Sequence, residues 1–243
     1  MVRNPSLRGI ALVAALGLLG CGGSRDPVRD LTRDLNRYPE FLLIVEDLRV
    51  EEGFFPDYFL RFKTLTASGQ RMAGRDTLIY QERTTDWHEV SEDVFGRYEH
   101  YVGMVVASKG KDGRHTDVRQ AHPPGYQYVG NPSYGFWGGG GFWQFYGQYA
   151  LMRDMMGGWR VNRDDYRDYR RNYDRGRPYH GPVQRGRPAF GSRGTVTEKT
   201  KPGFYQRNRQ RLRSGRYGFA NKAQSRMGRT GSSWGRGYGF RGK

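Results

Sequence analysis

The 243-residue chain has a single cysteine, Cys21. No intrachain disulfide can form, so any fold has to hold by noncovalent packing. Long apolar runs are also missing. The one extended run, Gly9 to Gly20 (GIALVAALGLLG), has 12 residues. As a helix it would rise about 18 Å, against a hydrocarbon core of about 30 Å, and is too short to span a membrane. With a formal net charge of +17, a polytopic membrane protein is excluded. Leu, Ile, Val and Phe together make up about 19% of the residues, just under the rough 20% below which a highly charged chain tends to disorder. One continuous core through the whole chain is therefore not expected. Acidic residues are scarce in one part only. Residues 151–243 carry 24 Lys or Arg against 6 Asp or Glu, whereas residues 21–110 carry 12 against 16. That asymmetry predicts a folded, mildly acidic unit with a basic arm.

What is present at the N-terminus is an address. Arg3 and Arg8 precede the apolar run, which has the length of a signal-peptide h-region, and residues 1–20 are expected to be that signal peptide. Leu18-Leu19-Gly20-Cys21 follows, then Gly22-Gly23-Ser24. This resembles the lipobox of bacterial lipoproteins, with apolar residues, a small residue and then cysteine. The resemblance implies a diacylglycerol on the Cys21 sulfur, cleavage before Cys21, an acylated new amino group, and residues 21–24 as a lipidated anchor in the membrane. With Gly rather than Asp at position 22, it implies an outer-membrane address in a Gram-negative cell. Several buried acyl chains, each CH2 contributing about 0.8 kcal/mol, hold stably.

Residues 25–120 can make a core, and α+β is the expected class. Asp26-Pro27 is a helix start, with Val28, Leu31, Leu35 and Tyr38 on one stripe and Pro39 as the stop. Strands are expected over 41–50, 58–62, 77–83 and 101–107, with Ser68-Gly69 and Lys111-Asp112-Gly113 as turn signals. Ser91, followed by Glu92 and Asp93, fits the cap of a short helix. The simplest assembly is a small antiparallel sheet with one or two packed helices.

No catalytic, metal or cofactor set is expected in it. His88-Glu89-Val90-Ser91-Glu92 begins like H-E-x-x-H but lacks the second histidine, and with it the i, i+4 ligand pair. His100, His115, His122 and His180 share no ligand spacing. Asp86, Glu89, Glu92 and Asp93 fall at a helix start, where carboxylates are favourable without any catalytic role.

Residues 121–141 combine Pro123, Pro124, Gly125, Asn131-Pro132 and four glycines, Gly138 to Gly141, with interspersed aromatics, and read as a flexible linker. Residues 142–180 read as a helical aromatic and Tyr/Arg section. Phe142 to Met156 forms one helix in this reading, packed on the sheet or, alternatively, lying at a membrane interface. A second helix, over Asp164 to Asp174, carries a tyrosine stripe of Tyr166, Tyr169 and Tyr173. The segments FWQFYGQYALMRDMMGG, YRDYRRNYDRGRPYHG and GTVTEKTKPGFYQRNRQR resemble a group of bacterial envelope proteins with a W-x-F-Y-G-x-Y-A block and a basic tail. The resemblance covers about half the chain and implies no activity and no site residues.

Residues 181–243 contain 16 Lys or Arg and one acid, Glu198. Few apolar residues and high charge predict a disordered Arg/Gly-rich tail. Arg207, Arg209, Arg211, Arg213, Arg216, Arg226, Arg229, Arg236 and Arg241 are its candidate polyanion-binding residues, interleaved with aromatic rings. Two short matches in the tail lack the flanking strand and helix their chemistry needs: Gly231 to Gly235 for a nucleophile elbow, Gly237 to Lys243 for a phosphate loop. A signal peptide places the arm outside the cytoplasm, so cytoplasmic nucleic acid is not the expected partner. The expectation is a lipid-anchored envelope lipoprotein with a non-enzymatic binding or structural role, its arm engaging anionic envelope polymers. The alternatives are an envelope enzyme with an unidentified site and an accessory subunit of an envelope complex.

Overall fold

The computed structural model describes residues 25–51, 55–72 and 75–214. Asp26 caps helix α1 (Pro27–Leu35), its carboxylate accepting the Val28 amide at 3.1 Å. The same carboxylate accepts Arg97 Nη1 at 2.6 Å and the Tyr98 hydroxyl at 2.9 Å. One side chain thus fixes the start of α1 and ties it to the later helix that carries Arg97 and Tyr98.

The sheet follows. Strands β1 (Glu40–Glu51), β2 (Asp57–Met72) and β3 (Arg75–Thr84) form an antiparallel meander. A short strand β4 (His88–Val90) pairs with the first part of β2. Helix α2 (Glu92–Tyr98) is capped by Ser91 and leads to β5 (Val105–Lys109), which pairs with the free edge of β1. Strand β6 (His115–Thr116) closes that side, giving the order β3-β2-β1-β5-β6. The chain is α+β with a small antiparallel sheet, as its residue pattern predicts. Two local expectations fail. The strand expected over 101–107 starts only at Val105, after Gly103 at φ 79° has turned the chain. Ser68 and Gly69 lie inside β2, opposite Ile79 and Leu78, and the pairing runs on to Met72 and Arg75. Gly69 has open space around it, so a strand passes through a dipeptide that usually marks a turn.

Residues 40–45 of β1 are all buried, because both faces of the sheet are covered there. One face sets Phe41, Leu43, Val45, Leu60 and Phe62 against Val28 and Leu35 of α1 and Val94 and Phe95 of α2. The other sets Leu42, Ile44, Leu65 and Val105 against Tyr128, Tyr134 and Met152. Past the bulge between Val45 and Asp47, burial alternates and β1 is covered on one face only.

The covering of that second face corrects the linker expectation for residues 121–141. Tyr126, Tyr128, Val129 and Tyr134 are all buried. Gly125, at φ 85°, admits a 3-10 turn over Tyr126–Tyr128. Strands β7 (Gly135–Trp137) and β8 (Trp143–Phe145) then form a hairpin around the four glycines. Gly135 sits so close to β8 that a Cβ would lie 2.0 Å from the Gln144 carbonyl oxygen. The Gly and Pro residues of this segment set turns, and its aromatic rings supply the apolar area that holds them in place.

The expected helix over Phe142 to Met156 is likewise shorter. Its first third is β8, a 3-10 turn over Gly147–Tyr149 follows, and only α3 (Ala150–Met155) is α-helical. The tyrosine stripe does lie on a helix, α4 (Arg163–Asp174), with Tyr169 buried. Its rings enter an aromatic cluster: Tyr126 lies 5.5 Å from Tyr169, 5.5 Å from Tyr179 and 6.2 Å from Phe190.

Residues 181–214, expected to belong to the disordered tail, are folded. Strands β9 (Val183–Gln184) and β10 (Arg187–Pro188) pair, and helices α5 (Thr195–Thr200) and α6 (Pro202–Ser214) follow. Ala189, Phe190, Val196 and Phe204 enter the main core. Averaged over the whole tail the apolar content is low, but these four are placed to bury together, which offsets the local ordering entropy.

Candidate functional site

A concave cluster of polar side chains lies between the β5–β6 hairpin, the segment after Gly125, and α4. The hairpin turn is built as its sequence predicts. Asp112 Oδ1 accepts the Arg114 amide at 3.1 Å, Gly113 donates to the Gly110 carbonyl at 2.9 Å, and Arg114 Nε stands 3.3 Å from Asp112 Oδ2. This holds Lys111 and Arg114 at the rim of a cavity of about 110 Å³. Ser108 and Thr116, paired across the strands with their hydroxyls 2.7 Å apart, form one wall. Tyr173 and Arg170 of α4 form the opposite wall, the guanidinium lying 5.2 Å over the ring and bonded to Asp174 at 3.2 Å.

A buried histidine lies behind the cavity lining, next to Gln127. His122 is fully buried, with Nδ1 2.9 Å from the Gln120 carbonyl oxygen. A carbonyl only accepts, so Nδ1 carries the proton and Nε2 is left as an acceptor. The Gln127 side chain lies against His122 and the Tyr128 hydroxyl, and its polar atoms are closed off from solvent. Burial holds the imidazole below its usual range. Gln127 itself lines the cavity.

Behind Tyr128 and Tyr134, whose rings lie 4.6 Å apart, is Glu40. The carboxylate is fully buried at the start of β1. Oε1 accepts from the Tyr134 hydroxyl at 2.8 Å and Oε2 from the Tyr80 hydroxyl at 3.2 Å. Burial pushes the Glu40 carboxyl up, opposed by those two hydroxyls, by Lys111 and by the Tyr128 hydroxyl. Tyr134 lines the cavity, so it links the cavity to the buried carboxylate.

The arrangement can hold a small polar ligand through hydroxyl, amide and cationic groups. Sequence reading did not find it, because its parts come from residues 40, 80, 108–116, 122–134 and 169–173. The legible part was the Lys111-Asp112-Gly113 turn, which carries Lys111 and is followed by Arg114.

The sequence-predicted residues fall elsewhere. Cys21, Arg216, Arg226, Arg229, Arg236 and Arg241 lie outside the described residues, as do the two short matches in the tail. Arg207, Arg209, Arg211 and Arg213 lie on α6. Arg207 forks onto Asp47, with Nη2 at 2.9 and 2.8 Å from its two oxygens. Arg211 pairs with Glu99 at 3.1 Å and covers the Phe95 ring at 5.1 Å. Lys201 pairs with Glu46, the residue that the β1 bulge sets apart. Arg209 and Arg213 are exposed. Among the described residues no group of three His, Cys, Asp or Glu side chains is placed to hold a metal ion, and no helix is long and apolar enough to cross a membrane. No protein-family model, curated protein or solved structure matches the chain.

Proposed function

We propose that this is a lipid-anchored binding protein of the bacterial cell envelope, held in the membrane through Cys21 and engaging anionic envelope polymers with its cationic C-terminal segment. The observation that supports this reading best is the way α6 is fixed. Arg207 and Arg211 are neutralised against Asp47 and Glu99 of the acidic sheet domain. Arg209 and Arg213 stay exposed, and the chain beyond, residues 215–243, carries seven Lys or Arg and no acid. Arg207 and Arg211 fasten the helix through their ion pairs, and Arg209 and Arg213 add to the charge of the basic segment. The binding part of the arm is therefore narrower than the whole of 181–243.

A polyanion bound this way displaces counterions, so affinity falls steeply with salt. The test compares the mature protein with a chain ending at residue 214. Heparin and single-stranded DNA serve as linear polyanions, and binding is followed by fluorescence anisotropy from low to physiological salt. Loss of most of the affinity with the shortened chain, and a log–log salt slope of several units for DNA in the full chain, is the expected result. Full binding by the shortened chain, or salt-independent binding, overturns the polyanion role. Membrane retention and normal processing of a Cys21→Ser protein would overturn the anchor.

A further inference from the structure

A groove of about 560 Å³ runs between α1 and the β5–β6 side of the sheet. We infer that this groove is the face the anchored protein turns to its own membrane, where it takes the headgroup phosphate and the first part of the acyl chains of an anionic phospholipid. This rests on the Cys21 anchor proposed above, and it names the surface that the anchor sets against the bilayer. The cationic arm plays no part in it.

Position comes first. Cys21 stands four residues before Arg25, and four residues reach at most about 14 Å. Asp26 and Val28, at the start of α1, line the groove. A lipid on Cys21 therefore keeps this end of the groove close to the bilayer, whatever path residues 21–24 take. Strand β3 forms the opposite edge of the sheet from β6, four strand spacings or about 19 Å away.

The lining agrees with an amphiphile. Its floor is apolar, from Val28 of α1, Val106 and Ala107 of β5, and Val118 beyond β6. Arg29 and Arg33 stand on the α1 side and Arg119 on the other. A lipid with an anionic head lays methylenes on such a floor and offers phosphate oxygens to guanidinium forks. A free anion leaves the floor unused, and a zwitterionic head brings a cation to the same arginines.

The acids nearby leave charge to spare. Asp26 is buried and holds Arg97 and the Tyr98 hydroxyl, so Arg97 is committed to the fold. Arg29 is exposed and has no acidic partner among the described residues. Arg33 and Arg119 pair with Asp30 and Asp117, but their side chains are 75% and 80% exposed. Ion pairs in the open hold weakly, so either guanidinium is free to turn to a phosphate. An anionic leaflet attracts arginines held this near its surface.

The experiment uses the full-length acylated protein in vesicles of phosphatidylcholine, alone or mixed with phosphatidylglycerol. Asp34→Cys, on α1 but outside the groove lining, and Gln81→Cys, on β3, each carry a fluorophore, and a lipid with a nitroxide on its headgroup is the quencher. Flotation with the vesicles is read first. With phosphatidylglycerol present, quenching severalfold stronger at position 34 than at 81 is expected, and the difference should shrink in phosphatidylcholine alone. Arg29→Glu with Arg119→Glu, both at exposed positions, should abolish the response to phosphatidylglycerol while flotation and melting temperature stay unchanged. A chain ending at residue 214 should keep the quenching at 34, which separates this contact from the arm. Protein that floats but is quenched equally at 34 and 81, or at neither, overturns the groove contact and leaves the anchor standing. So does quenching at 34 that ignores phosphatidylglycerol, persists in the double arginine variant or vanishes with the arm. Reversal of the quenching by inorganic phosphate at matched ionic strength assigns the groove to a free anion and overturns the lipid. Protein that does not float overturns the anchor and the groove contact together.

Discussion

Arg211 and Glu99 are 112 positions apart and meet at 3.1 Å, joining the last described helix to the end of α2. The pair is mostly withdrawn from solvent, with side-chain exposures of 16% and 24%. Arg207, four residues earlier on the same helix face, is 56% exposed in its pair with Asp47. The two contacts should therefore differ in strength. Arg211→Ala strands a half-buried carboxylate and strips a cation from the Phe95 ring, and is expected to cost about 1–3 kcal/mol. Arg207→Ala should cost at most about 1 kcal/mol, as exposed pairs do. Urea denaturation of the two variants distinguishes them, and equal losses would show that the burial difference is not what sets the energy.

Phe190 tests whether residues 181–214 belong to the fold. It is buried against Tyr126 at 6.2 Å and Trp159 at 5.9 Å. Phe190→Ala is expected to destabilise the protein by about 3–5 kcal/mol, whereas removing residues 215–243 should leave the denaturation midpoint where it is. Amide exchange adds a local readout: protection at Phe190 and Val196 comparable to that in β1 is expected. Rapid exchange at both positions would return this segment to the tail.

Glu40 makes stability depend on pH in a definite direction. Tyr80, Tyr128, Tyr134 and Lys111 face it, yet burial outweighs them and raises its carboxyl above the ordinary 4.5. The native state then holds the proton more tightly than the unfolded chain. This contribution is complete below about 4.5 and is lost as pH rises through the raised native value. Glu40→Gln keeps the shape and can still accept from one tyrosine hydroxyl. Denaturation of both proteins across the acidic and neutral range should show the variant gaining on the parent as pH rises. A difference between them that stays constant with pH would refute the assignment.

His122 works in the opposite sense. Burial lowers its pKa from 6.5, so the native state binds the proton less readily than the unfolded chain. Its contribution is full above about 6.5 and is lost as pH falls through the lowered native value. In a protein carrying Glu40→Gln, this loss on acidification should be the clearer of the two, and NMR of the His122 ring should show a neutral, Nδ1-protonated imidazole at neutral pH. A ring titrating near its ordinary value would contradict the burial argument.

Gly191 has φ 90°, and a Cβ there would lie 2.7 Å from His180 Nδ1 and 2.8 Å from the His100 carbonyl oxygen. Both the backbone conformation and the space exclude a side chain. Gly191→Ala is expected to lose about 1–3 kcal/mol from strain, read as a lowered melting temperature. An unchanged melting temperature would mean that the close approach of this segment to α2's trailing loop is not needed for the fold.

Much of the first half was legible because its signals are local. Asp26-Pro27, Ser91 and Lys111-Asp112-Gly113 each fix their neighbours through a side chain to amide bond or a preset backbone angle, and each stands where its sequence places it. The alternation in β1 and β2 likewise needs no distant partner to be read. The second half was misjudged where composition stood in for placement. Gly125 and the four glycines from Gly138 suggested flexibility, but with Tyr126, Tyr128 and Tyr134 anchored in the core they act as fixed turns. The low apolar content of 181–243 concealed Phe190, Val196 and Phe204, whose burial depends on surfaces formed by residues far earlier in the chain.

The sequence by itself determined the α+β class, the first two helix starts, the antiparallel strands and the separation of acidic and basic charge, since caps, periodicity and charge are properties of neighbouring residues. Only the tertiary structure decided that Gln127 and Tyr134 line a cavity rimmed by Lys111 and Arg114, that Glu40 is enclosed by Tyr80 and Tyr134, and that Arg211 is a fastening and not a free cation. Those relationships depend on burial and on contacts between residues distant in the chain, 112 positions apart for Arg211 and Glu99, and burial is set by how the sheet faces are covered, which no local pattern records.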